Sequence, residues 1–132
     1  METATRAAVR TRAGDRCEYC RIHQQHYDLR FHVEHIVARQ HGGSDVAANL
    51  ALACHFCNRS KGPNLAGLDP ATGALTRLFH PRTDVWGTHF QVQAGRILGQ
   101  TAVGRATVQV LNMNQPARVR TRLALEPALF GA

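Results

Sequence analysis

The feature that most constrains this chain is a pair of C-x-x-C knuckles, Cys17-Glu18-Tyr19-Cys20 and Cys54-His55-Phe56-Cys57, with 33 residues between them. They hold all four cysteines of the sequence. Two such knuckles supply the four thiolates of a tetrahedral zinc site, which would tie both ends of the intervening segment to one point. Disulfides would need an oxidising compartment. A redox pair would leave the second knuckle without a role, and an iron–sulfur cluster fits the count but is less usual at this spacing. Structural Zn²⁺ on Cys17, Cys20, Cys54 and Cys57 is the expectation. Composition agrees, because only 6% of the 132 residues are aromatic and a metal staple supplements a core short of large side chains.

Length predicts one domain over 1–132. An Ala-rich basic helix is expected over 2–13, stopped at Gly14, followed by the first knuckle over 15–22. A strand is expected over roughly 29–37, then a loop through Gly42-Gly43-Ser44-Asp45. A second strand over Asn49–Ala53 leads into a short helix from His55 to Lys61, halted by Gly62-Pro63. The core motif thus covers 15–62, and a C-terminal extension of hairpin and helix covers 63–132. In that extension Gly67 to Gly73 is turn chemistry, and Trp86 to Leu98 predicts a hairpin around Ala94-Gly95. Thr101 caps an apolar helix ending near Asn112 to Asn114. Pro116 opens a last helix with Val119 and Leu123 inward and Arg118, Arg120 and Arg122 outward. The fold class is α+β.

The net charge is +7, and fifteen of the sixteen basic residues are arginine. Arginine's planar fork suits phosphate, so the bias favours a polyanionic partner, although a solubilising surface would give the same count. No apolar run is long enough to span a membrane, and Met1-Glu2-Thr3-Ala4 shows no secretory apolar region, so a cytoplasmic protein is expected.

The chemistry lies inside the cysteine frame. Glu34 adjoins His35, Asn49 follows His35 by fourteen residues, and Asn58 follows nine later. Hydrolysing a phosphodiester needs a base for water and a cation to neutralise charge on the phosphate. Histidine, with an ordinary pKa of about 6.5, suits the base. A carboxylate and an amide oxygen suit a hard divalent ion with open positions.

Glu34-His35, Asn49 and Asn58, set within the knuckles and followed by Arg59-Ser60-Lys61-Gly62, resemble the HNH endonucleases of the ββα-metal (His-Me finger) fold. The resemblance implies His35 as general base, Asn49 as the residue that orients it and pins the loop, and Glu34 and Asn58 as ligands of a catalytic ion. It also implies zinc as the staple of the ββα element. The last letter of the motif is Asn58 rather than His, and the acid is Glu34 where Asp is frequent. Two oxygen donors favour Mg²⁺ or Mn²⁺, with Ni²⁺ or Zn²⁺ as alternatives. Leu78-Phe79-His80-Pro81-Arg82, Trp86 with His89-Phe90, and Gly104-Arg105-Ala106-Thr107-Val108 are similar to the extension of small stand-alone bacterial HNH proteins.

Strict strand alternation would send Glu34 and His35 to opposite faces, so the ribbon must bend or end near residue 34 if both serve one site. His32 is either a spare ligand or a surface histidine, His55 lies outside the zinc shell, and His41, His80 and His89 read as surface or structural. Arg59 and Lys61 are the expected phosphate contacts. The expectation is a metal-dependent DNA endonuclease acting on double-stranded DNA, with nicking as its unit event, as a monomer or homodimer. The alternative is a zinc-dependent nucleic-acid-binding module without catalysis.

Overall fold

The computed structural model describes residues 1–125; the end of the expected extension, 126–132, lies outside the described residues. The described chain is α+β and divides into two compact units, one of Met1–Asn64 with His80–Thr83, the other of Leu65–Phe79 with the chain from Asp84 onward. No helix among the described residues is long and apolar enough to cross a membrane.

In the first unit, helix α1 (Thr3–Ala13) buries Val9 and ends at Gly14. Strands β1 (His32–His35) and β2 (Leu50–Ala53) pair antiparallel, with Glu34 opposite Ala51 and His35 opposite Leu50. All four residues of β2 are buried, which its Leu-Ala-Leu-Ala sequence allows on both faces. Helix α2 (His55–Lys61) follows directly, capped by the sulfur of Cys54, which accepts from the Cys57 amide. Two of the basic side chains of α1 serve the fold. Arg10 donates to the Phe31 carbonyl at 2.8 Å, and Arg12 to the carbonyls of Ala47 and Leu50 at 2.9 and 2.6 Å. The first knuckle binds the free edge of β2, because Glu18 N donates to Leu52 O and Leu52 N donates to the Glu18 carboxylate, both at 2.8 Å. Arg82 pairs with that same carboxylate.

Among the described residues, the second unit holds two hairpins and three helices. Strands β3 (Ala66–Leu68) and β4 (Leu75–Arg77) flank the expected turn, so the glycine-rich stretch joins a short hairpin that its sequence did not announce. Asp69 organises that turn by accepting from Ala71 N at 2.9 Å and from both ends of the Arg105 fork at 2.9 and 2.8 Å. The second hairpin is shorter than expected. Residues Trp86–His89 form a helical turn, α3, and strands β5 (Phe90–Gln93) and β6 (Arg96–Gly99) turn at Ala94-Gly95. Helix α4 (Ala102–Val110) starts at Thr101, whose hydroxyl accepts from Gly104 N. Helix α5 (Pro116–Leu125) begins at proline as expected, but its polarity is reversed.

Arg118 and Arg122 are buried, whereas Leu123 is 53% exposed. The reason is backbone satisfaction. Arg118 donates to the carbonyls of Leu111 and Asn112 at 2.8 and 3.0 Å, and Arg122 to those of Gly95 and Met113 and to Asn114. The segment after α4 lies outside any helix or strand ladder, and a guanidinium brings several donors to its carbonyls. Of the three arginines, Arg120 alone is exposed as expected.

Candidate metal centre and active site

The knuckles bring Cys17, Cys20, Cys54 and Cys57 together, all four buried and unpaired by disulfides. Their ligand atoms lie within 4.8 Å of one another, and Cys20 Sγ stands 3.8 Å from Cys54 Sγ. That is far beyond a disulfide bond. It matches the edge of about 3.8 Å that a tetrahedron with metal–sulfur bonds of about 2.3 Å must have. The amides of Cys20 and Cys57 donate to the sulfurs of Cys17 and Cys54 at 3.4 Å. Burial pushes the Cys17 and Cys57 thiols well up. A dication at the centre reverses that preference, because a coordinating thiol gives up its proton. The donor set fits zinc, and the cluster can hold such an ion.

Beside it, β1 and the start and end of the following loops line an open depression of about 460 Å³, with His32, Glu34, His35, Asn58 and Arg39 in its wall. β1 ends at His35 and the chain bends at residues 36–37. Glu34 and His35, neighbours in that strand, both line this space. Asn58 stands one turn into α2, half-buried, and its side-chain amide makes no hydrogen bond among the described residues.

Glu34 is 8% exposed. Its Oε1 accepts from the Tyr19 hydroxyl, and its Oε2 lies 3.4 Å from Lys61 Nζ. Burial pushes the Glu34 carboxyl up, while Lys61 and Tyr19 pull it down. Each carboxylate oxygen keeps a further lone pair, so Glu34 retains acceptor capacity for an ion. Glu34 and Asn58 are two oxygen donors on one wall, and this fits a hard divalent cation.

Lys61 points inward rather than to solvent. Expected as a phosphate contact, it is 2% exposed, and its ammonium turns inward to Ile36 O at 3.0 Å and His35 O at 3.5 Å as well as to Glu34. The last turn of α2 faces β1, so a residue at this register is drawn to the buried carboxylate of Glu34. Arg59, two residues earlier, is exposed.

The loop after β1 closes on Asn49. Its Oδ1 accepts from Val37 N at 2.9 Å, and its Nδ2 donates to Val37 O at 3.0 Å and Ser44 O at 2.9 Å. Gly42 has φ +90, and a Cβ at Gly43 would stand 1.7 Å from the Val37 carbonyl oxygen, so both glycines are required. The closed loop carries Asp45 to His35. Nε2 of His35 lies 2.7 Å from Asp45 Oδ1, and Arg39 donates to both Asp45 oxygens at 2.7 and 2.9 Å. The hydrogen bond from His35 holds the Asp45 carboxyl below its usual range. Asn49 makes no direct bond to His35. Asp45 and Tyr19 are the polar partners that spacing alone did not single out, although Asp45 sits directly after Gly42-Gly43-Ser44 and Tyr19 lies between two cysteines.

This constellation lies within a recognisable stretch. Residues 17–64 match the HNH endonuclease family. The HNH segment falls wholly within the first unit and includes both knuckles, β1, β2 and α2. Comparison with curated proteins and with solved structures gives no match. The HNH match points to nuclease chemistry in general, and the four-cysteine cluster is compatible with both readings of the sequence.

Proposed function

We propose that the chain is a metal-dependent DNA endonuclease of the ββα-metal type that cuts one strand per event. The observation that carries the reading is the convergence of His35, Glu34 and Asn58 on one depression inside the HNH segment. His35 takes a proton from water. Glu34 and Asn58 would hold Mg²⁺ or Mn²⁺, which supplies neutralisation of the charge that builds on the phosphate and the leaving 3′ oxygen. Cys17, Cys20, Cys54 and Cys57 hold structural Zn²⁺, and Asn49 pins the loop that borders the base. Arg59, exposed on α2, contacts phosphate. The excess of arginine supplies attraction to double-stranded DNA that is independent of sequence.

One observation favours the rival, a zinc-dependent nucleic-acid-binding module: both Glu34 oxygens already have partners, as in a purely structural carboxylate. Plasmid relaxation by wild type and His35→Ala with Mg²⁺, Mn²⁺, Ni²⁺ or EDTA separates the two. Metal-dependent nicking by wild type alone is expected. No cutting with any ion, while both proteins retain DNA equally, would replace the nuclease by the binding module.

A further inference from the structure

We propose that Asp45 is the positioning residue of the candidate base: its carboxylate holds His35 in the tautomer that carries its proton on Nε2, leaving Nδ1 to accept the proton of water. This rests on His35 being the base of the reading above. A carboxylate only accepts, so the 2.7 Å contact between His35 Nε2 and Asp45 Oδ1 requires the proton on Nε2.

A surface ion pair of this kind is ordinarily worth little, and the Asp45 side chain is 46% exposed. What sets this one apart is that it is held from both ends. Arg39 Nη2 reaches both carboxylate oxygens, at 2.7 and 2.9 Å, and draws the carboxylate toward one orientation. The carbonyl of the preceding residue, Ser44, is held by Asn49 at 2.9 Å, and the close approach at Gly43 fixes the turn. A negative charge beside the candidate base of a site for a polyanion opposes binding, so its usefulness must lie in what it does to His35. Arg39 offsets the repulsion.

The proton balance is simple. Water gives a proton to Nδ1 while its oxygen bonds to phosphorus, and the bond from phosphorus to the 3′ oxygen breaks. The leaving oxygen takes a proton from solvent, the imidazolium returns its proton to solvent, and Asp45 carries none at any step. This gives Asn49 an indirect part, since it places the loop and the loop places Asp45.

The test uses the zinc-loaded full chain as wild type, Asp45→Asn and Asp45→Ala, with nicking resolved into kcat and KM and with ¹⁵N spectra of the His35 ring above the ordinary histidine titration range. General-base catalysis contributes about 10²–10⁴-fold, so kcat is expected to fall by about 10²-fold in both variants. KM for DNA should stay level or drop, because a charge that repels phosphate is gone. Wild type should show Nε2 as the protonated nitrogen and Nδ1 as the bare one, and the variants a mixture. A kcat within twofold of wild type, or a wild-type proton on Nδ1, overturns the proposal. A merely electrostatic Asp45 would move KM alone. If wild type cuts no DNA the nuclease reading falls, while the ring spectrum still decides whether Asp45 sets the tautomer. That spectrum also decides it should either variant fail to fold.

Discussion

Replacing Lys61 by methionine distinguishes two roles that one residue type can play at this position. As a phosphate contact, Lys61 would be solvated, and its loss would alter stability by no more than about 0.5 kcal/mol while lowering the salt dependence of DNA retention by about one unit of slope. The structure buries it instead, with Nζ 3.4 Å from Glu34 Oε2 and 3.0 Å from Ile36 O. Removing one member of a buried pair strands the other charge and costs about 3–5 kcal/mol. Two features reduce that figure. Tyr19 still donates to Glu34, and burial already favours the protonated carboxyl, which offers an escape from the stranded charge. About 2–4 kcal/mol is therefore expected for Lys61→Met. At about 3–6 °C per kcal/mol for a chain of this size, Tm of the zinc-loaded protein should drop by roughly 6–24 °C. The double variant Lys61→Met with Glu34→Gln should recover part of the loss, because a neutral amide no longer needs the ammonium. Thermal unfolding followed by circular dichroism reads both. A Tm within two or three degrees of wild type, together with a flatter salt dependence of DNA retention, would refute the buried-pair reasoning.

Three further perturbations have defined outcomes. Cys54→Ser removes a thiolate while leaving a hydroxyl that can still cap α2, and should release zinc and unfold the HNH segment, because a structural site's binding energy is folding energy; a zinc-free variant that keeps its helical signal and its activity would contradict this. Arg122→Ala removes the guanidinium that donates to the carbonyls of buried Gly95 and Met113 and should destabilise the protein by about 3–5 kcal/mol, at about 1–3 kcal/mol for each lost charged hydrogen bond and the rest from lost packing. Hydrogen exchange at β5 and β6 would report it, and a change under about 0.5 kcal/mol would restore the solvated-face reading. Asn49→Ala should fold and keep both metals but lose most turnover, and adding Asp45→Ala should cost little more, since the two act through one loop. Fully additive losses in nicking rate would show that they act separately.

What could be read from the sequence follows from how local its cause is. Helix α2 begins and ends where the knuckle and Gly62-Pro63 predict, because its cap is a covalent neighbour, Cys54. The four-cysteine cluster was legible for the same reason: C-x-x-C fixes each pair, and one metal demands that the pairs meet. The reversed polarity of α5 was not. Its arginines point inward to donate to carbonyls of the segment after α4 and of the β5–β6 turn, and no helical period carries information about a neighbour's backbone. Lys61 was missed in the same way, since a basic residue near a candidate phosphate site gives no sign that a buried carboxylate lies closer.

The loop from Ile36 to Asn49 shows the limit most clearly. Asn49 could be singled out because its spacing from His35 matches the motif of the HNH endonucleases that the sequence resembles. Asp45 could not, because ten residues of separation imply no contact; the contact exists only because the loop is pinched at Gly43 and Val37. A side chain at residue 43 would push the Val37 carbonyl away, loosen the grip of Asn49 on residues 37 and 44, and carry Asp45 off the imidazole. The second glycine is therefore as much a condition for the Asp45–His35 contact as either residue that makes it, and this explains why so small a residue sits between two side chains of evident chemistry.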